Sequence, residues 1–237
     1  MRANSVTEPI SPAFSHCAEW LERLQRDGHA LISDLPCDPD NHSLREIAAT
    51  LGQASLRSIS RHPQLWEEGG VQRVQAIAQP ASNRFGRRLR SSDAESFPLH
   101  TDESFLTQPA RWVLLHCWQP DPEGGGSSLI CERTALSKTA STTQIGELRQ
   151  RMLRYPCGRF PVIAADDRLR FNADDCQPES DADRGWLQEV ADLAATAATT
   201  ISLRRGDCLI MDNHRVMHGR LPFAENSPGL LKRIRVI

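Results

Sequence analysis

Between Ala13 and Arg26 the apolar positions recur at helical spacing. Cys17, Trp20, Leu21 and Leu24 share one face, and Gly28 follows as a stop. Residues 29–35 (HALISDL) then read as a strand. Ser43-Leu44-Arg45-Glu46 has the pattern of a capping box, and Leu44, Ile47, Ala48 and Leu51 form an apolar stripe that ends at Gly52. A strand is expected over residues 71–79. Residues 80–96 carry no apolar period and are rich in Arg and Ser. A loop of this length inside a domain is either disordered or functional, and its place just ahead of Phe97 predicts a lid.

Beyond Phe97 the character changes. Short strand-like runs occupy 97–102, 111–119, 127–132, 158–164, 169–172, 199–203, 208–214 and 230–237, divided by turn clusters such as Pro120–Gly126 and Arg205-Gly206-Asp207. Helical patterns interrupt them around 144–153 and 184–198. Many short strands with Gly/Pro punctuation predict a mainly β fold with flanking helices, a sandwich or jelly roll. No linker is visible. One domain over residues 1–237 is expected, with an N-terminal region 1–96 packed on a core 97–237 and a lid at 80–96.

A chain of 237 residues can bury a substantial core. Its 28 basic and 30 acidic residues leave a net charge of -2, which provides no electrostatic footprint for nucleic acid or an anionic membrane. A small-molecule partner fits better. The seven cysteines are odd in number and form no C-x-x-C pair, so free thiols in a reducing cytoplasm are expected rather than disulfides or a zinc ribbon. The opening MRANSVTEPISPAF shows no apolar core of a secretory signal. No apolar run approaches the roughly 20 residues of a spanning helix.

The candidate chemistry lies at two distant places. In a strand-like context, His100 and Asp102 are two positions apart and point to one face, so both can reach one ion. A histidine pair, His214 and His218, follows far downstream. Two His and one carboxylate on one face of a metal leave three positions open, the arrangement of iron(II) oxygenases. Taken singly, an H-x-D triplet or a lone histidine also fits an ordinary surface residue. Arg233 lies on the terminal run Leu230–Ile237, where alternation puts Leu231, Arg233 and Arg235 on one side and Leu230, Ile234 and Val236 on the other. A guanidinium on such a face can grip a carboxylate bidentately. The same strand also fits an edge kept soluble by charge.

Taken together, these segments resemble the taurine dioxygenase and clavaminate synthase-like superfamily of iron(II)/2-oxoglutarate oxygenases. Phe97-Pro-Leu-His-Thr-Asp-Glu-Ser-Phe105 looks like its H-T-D/E signature, and Asp212-Asn-His-Arg-Val-Met-His-Gly-Arg220 looks like its distal motif. The resemblance implies a double-stranded β-helix, with iron(II) on His100, Asp102 and His218 rather than His214. It also implies that 2-oxoglutarate is held by Arg233 and by the hydroxyl of Ser128 in Gly124-Gly-Gly-Ser-Ser128, and that O2 is the oxidant. Two departures stand out. Ser128 replaces the usual Thr, and Gly229 stands where many relatives carry a second arginine, so either Arg235 or Arg220 compensates or no such contact exists here.

The carboxylate of Asp102 fills the coordination site that a halide would need, which favours hydroxylation, desaturation or ring closure over halogenation. Asp174 and Asp175 would suit a basic substrate group, whereas Arg84, Arg87, Arg88 and Arg90 would suit an anion. The acidic pair is better read as a solvated loop, and the arginines are at least as well read that way. A small polar amino acid or amino-acid derivative is the expected substrate, and nothing indicates tethering to a carrier protein. Two other classes remain open. One is a non-catalytic jelly-roll binder of small acids. The other is a zinc hydrolase on the same triad, with Glu103 as the nearest candidate base.

Overall fold

Trp112-Val-Leu-Leu-His-Cys-Trp-Gln119 is buried on both sides over most of its length, and it forms the longest strand of the protein. In the computed structural model, which describes residues 17–56, 65–77, 79–80, 82, 86, 88–224 and 226–237, this strand sits inside a six-stranded sheet. The order is β1 (His29–Ile32), β10 (Cys208–Asp212), β5 (Trp112–Gln119), β12 (Leu230–Val236), β3 (Val71–Val74) and β2 (Trp66–Glu67), with every neighbour antiparallel. A second antiparallel sheet has the order β4 (Phe97–His100), β11 (Val216–Arg220), β6 (Ser128–Glu132) and β9 (Thr199–Ile201). A short hairpin, β7 (Leu153–Tyr155) and β8 (Gly158–Phe160), stands apart.

Strand alternation sorts the apolar residues into layers. Val113, Leu115, Leu209 and Met211 of the large sheet meet Ile130 and Val216 of the small one, so the two sheets face each other across a shared core. The opposite side of the large sheet, with Leu114, Ile210, Ile234 and Val236, is covered by α1 (Cys17–Asp27) and α2 (His42–Leu51) through Trp20, Leu24, Leu44 and Ile47. Leu99, Cys131 and Met217 on the outer side of the small sheet pack under α4 (Thr142–Gln150) and α5 (Asp181–Ala197), beside α3 (Arg133–Thr139). Each fully buried Leu or Ile in these layers contributes about 1.5–3 kcal/mol.

Several local expectations need correction. The capping box at Ser43 does not form. The helix starts at His42 after a left-handed Asn41, and the Asp38 carboxylate accepts the Ser43 amide from five residues upstream. The run at 169–172 gives only an isolated bridge, Leu169 to Ile163. β11, β7 and α3 were not anticipated; β11 is short and follows β10 after a three-residue turn, which hid its separate strand pattern. The start of the predicted first helix, residues 13–16, lies outside the described residues. Among the described residues six cysteines are free thiols, and no described helix is long and apolar enough to cross a membrane.

Candidate metal centre

β4 and β11 are neighbours in the small sheet, and their register sets His100 directly opposite His218. The register then slips between His218 and Arg220. Gly219 permits this, since a Cβ there would lie 2.7 Å from the Phe97 carbonyl oxygen. The two imidazoles stand 4.4 Å apart, and the Phe97 ring stacks on His100 at 3.8 Å and 14°. His100 Nδ1 lies 2.9 Å from the Pro98 carbonyl. A proton on Nδ1 donates there, and this leaves the Nε2 lone pair directed at the site.

Asp102 reaches the site differently from the sequence expectation. The strand ends at His100, and Asp102 lies in the turn after it, so convergence comes from the turn and not from i, i+2 alternation. Asn213 holds that turn. Its Oδ1 accepts the Asp102 amide at 2.7 Å, and its Nδ2 donates to the carbonyls of Asp102 at 3.0 Å and Ala110 at 2.9 Å. Asn213 is fully buried and was not singled out from the sequence, although it sits inside the distal motif. Only the partner 111 residues away gives it meaning.

Across the sheet interface, β12 presents Arg233 and Arg235 on one face, as its alternation predicts. Arg235 Nε donates to Asp102 Oδ2 at 2.7 Å, and Arg233 Nη1 donates to Oδ1 at 3.2 Å. Gln72 Oε1 accepts Arg233 Nη2 at 2.7 Å. Burial alone would raise the Asp102 pKa. The two guanidinium groups and the His100 contact outweigh it and hold the carboxyl well below its usual range. Burial, with His100 beside it, pushes the His218 pKa down to about 3. The set is therefore ready for a cation at neutral pH: one anion and a neutral imidazole.

The donor set fits a metal ion. One ligand atom from each of His100, Asp102 and His218 lies within 4.8 Å of the others, and all three side chains are buried. His100 Nε2 and both ring nitrogens of His218 have no hydrogen-bond partner. Buried polar atoms without partners are costly, and a cation bound between them removes that cost. His214 is not part of the group. It sits in the turn between β10 and β11 beside Arg168 and Phe160. Glu103 Oε2 accepts the Ala110 amide at 2.8 Å, which makes it a structural acceptor and a poor base for a hydrolase.

Beside the two histidines a small cavity, partly open to solvent, is lined by Val74, Leu115, Ser128, Arg220 and Leu231 among others. Ser91, in the segment expected to form a lid, also lines it. Arg84 and Arg87 of the lid lie outside the described residues. Arg88 pairs with Asp93 at 2.6 Å, and Arg90 with Glu95 and with Asp174, each at 3.1 Å. The basic lid and the acidic stretch, opposite hints in the sequence, thus meet each other. Asp175 is buried rather than part of a solvated loop.

The profile of the family described as "Taurine catabolism dioxygenase TauD, TfdA family" matches residues 6–144 and 148–235. Among characterised proteins, tyrosine isonitrile desaturase of Pseudomonas aeruginosa is 22% identical over 260 residues, 92% of this chain and 81% of that protein. The 3-((Z)-2-isocyanoethenyl)-1H-indole synthase of Fischerella ambigua is 23% identical over 59% of this chain and 63% of its own length. Among solved structures, asparagine oxygenase in complex with Fe(II), 3-hydroxyasparagine and succinate superposes with a TM-score of 0.74 at 18% identity, covering 94% of this chain and 79% of that one. The non-heme iron oxygenase OrfP with Fe and alpha-ketoglutaric acid gives 0.68 at 18% identity, covering 94% and 79%. At these identities the structural likeness is one of fold.

Proposed function

The chain belongs to the taurine catabolism dioxygenase TauD, TfdA family, and from that premise we propose that it is an iron(II)- and 2-oxoglutarate-dependent oxygenase acting on a small polar amino acid or a molecule derived from one. We read the two facing sheets as the double-stranded β-helix of such an enzyme. The observation that carries the reading is the buried group of His100, Asp102 and His218, with His100 Nε2 and both His218 ring nitrogens free of hydrogen-bond partners. Iron(II) bound there with 2-oxoglutarate and O2 supplies oxidation of an unactivated C–H bond, with release of succinate and CO2.

The residues of this chain set the conditions for that chemistry. Pro98 fixes the His100 tautomer, and Asn213 fixes the backbone of Asp102. Arg233 and Arg235 keep Asp102 anionic and hold its two oxygens in place. Val74, Leu115 and Leu231 give the cavity beside the histidines apolar walls. An acidic cosubstrate needs a cationic anchor near Ser128. Arg233, the residue expected from the sequence, and Arg220, which lines the cavity, are the two candidates.

The asparagine oxygenase complex supports an amino-acid substrate. The tyrosine isonitrile desaturase supports desaturation as a second outcome at the same site. Anaerobic loading with iron(II), followed by O2, 2-oxoglutarate and a panel of free amino acids, tests the reading through succinate release. Product mass then separates outcomes, because hydroxylation adds an oxygen atom and desaturation removes two hydrogens. Absence of amino-acid-stimulated succinate release removes the substrate assignment.

A further inference from the structure

Arg220 lies two residues past His218 on β11, so its side chain enters the space between the sheets on the same side as the histidine. In the register of β11 with β6 it stands opposite Ser128, and both line the cavity beside His100 and His218. Its surroundings are built. Nη2 donates to the carbonyls of Asp93 and Glu95, both at 2.7 Å. The Phe223 ring covers the guanidinium at 3.7 Å. Gly126 makes room for that ring, since a Cβ there would lie 2.3 Å from Phe223 Cδ1.

Arg220 is only 5% exposed, yet Nε and Nη1 have no acceptor. Among the described residues no carboxylate forms a salt bridge with it; Asp93, the nearest acidic influence, is engaged by Arg88. Arg233 differs. Both of its terminal nitrogens already have acceptors, Asp102 and Gln72, which leaves only Nε without one, and it does not line the cavity. A buried cation with idle N–H groups is costly unless an anion arrives to meet them.

We propose that Arg220, with Ser128 beside it, anchors the distal carboxylate of the dicarboxylic cosubstrate, and that Arg233 instead positions Asp102. The assignment rests on the oxygenase reading above. It makes the site selective for a 2-oxoacid that carries a second carboxylate over one that ends in a methyl group. No bond is made or broken at Arg220; its part is recognition.

The test measures anaerobic binding of 2-oxoglutarate and of 2-oxovalerate, which has the same chain length but no distal carboxylate, to the iron(II)-loaded protein by calorimetry. Wild type should prefer 2-oxoglutarate by roughly 100-fold, as expected for loss of a buried charge-assisted pair. Arg220→Gln should abolish that preference and leave 2-oxovalerate binding unchanged. Arg220→Lys, which keeps a cation for the Asp93 and Glu95 carbonyls if the Gln variant folds poorly, should retain part of it. Arg233→Gln should keep the preference while weakening iron binding. Full preference in both Arg220 variants, with loss in Arg233→Gln, overturns the assignment and returns the anchor to Arg233. Failure of wild type to bind either ketoacid, with iron bound, overturns the oxygenase reading and this assignment with it.

Discussion

Asp102 is tied to the protein through every polar atom it has: Asn213 on its amide and carbonyl, Arg235 and Arg233 on its two carboxylate oxygens. Two outcomes follow. Asp102→Ala leaves two buried guanidinium groups without their anion, a loss of about 3–5 kcal/mol in the metal-free protein. Denaturant unfolding should show it, together with loss of iron binding. Asn213→Ala strips the turn of three hydrogen bonds but leaves all three ligands present. Its iron affinity should fall about 10–100-fold, the range for residues that orient a ligand. Unchanged affinity in a folded Asn213→Ala protein would mean that the turn holds its shape unaided. His218 brings a pH dependence. Its folded pKa is lowered, so the native metal-free protein binds fewer protons than the unfolded chain. Stability is then full above the unfolded value of about 6.5 and falls as pH drops toward 3, a direction that His116 and His214 share. His218→Gln should flatten that slope in urea unfolding followed against pH.

At the scale of elements, what was legible in the sequence depended on periodicity. The core strands β5 and β10 stand where their mostly apolar runs predict, as expected of strands buried on both faces, and β12 stands where its alternation of apolar and basic positions predicts. His100 and His218 were visible for a different reason, as motif residues whose neighbours carry chemistry. The turn at Asp102, the Asn213 brace and the Arg90–Asp174 pair were not visible, since each depends on residues brought together from far along the chain. The capping box failed because Asp38 accepts the Ser43 amide from upstream, the amide that the Glu46 side chain would have taken in the box. The Arg90–Asp174 pair joins the lid to the segment after β8. Being partly exposed, it should contribute at most about 1 kcal/mol to stability in a double-mutant cycle. If the lid works as a gate, Arg90→Gln and Asp174→Asn should each raise KM for the organic substrate with little change in melting temperature. Equal KM in both variants would leave the pair as a surface contact.

For the molecule as a whole, the site belongs to both sheets at once. The small sheet supplies His100, His218, Ser128 and Arg220, and the large one supplies Arg233, Arg235 and Gln72 through β12 and β3. The N-terminal third is therefore part of the centre's support, since β3 carries Gln72 and the helices α1 and α2 back the large sheet. The central claim is that the buried triad is an iron(II) site that takes a 2-oxoacid. Its most direct test is the visible charge-transfer band of the anaerobic protein with iron(II) and 2-oxoglutarate, compared between wild type and His218→Ala. A band in wild type that is absent from folded His218→Ala is the predicted result. A wild-type protein that binds iron(II) yet shows no band on adding 2-oxoglutarate would contradict it.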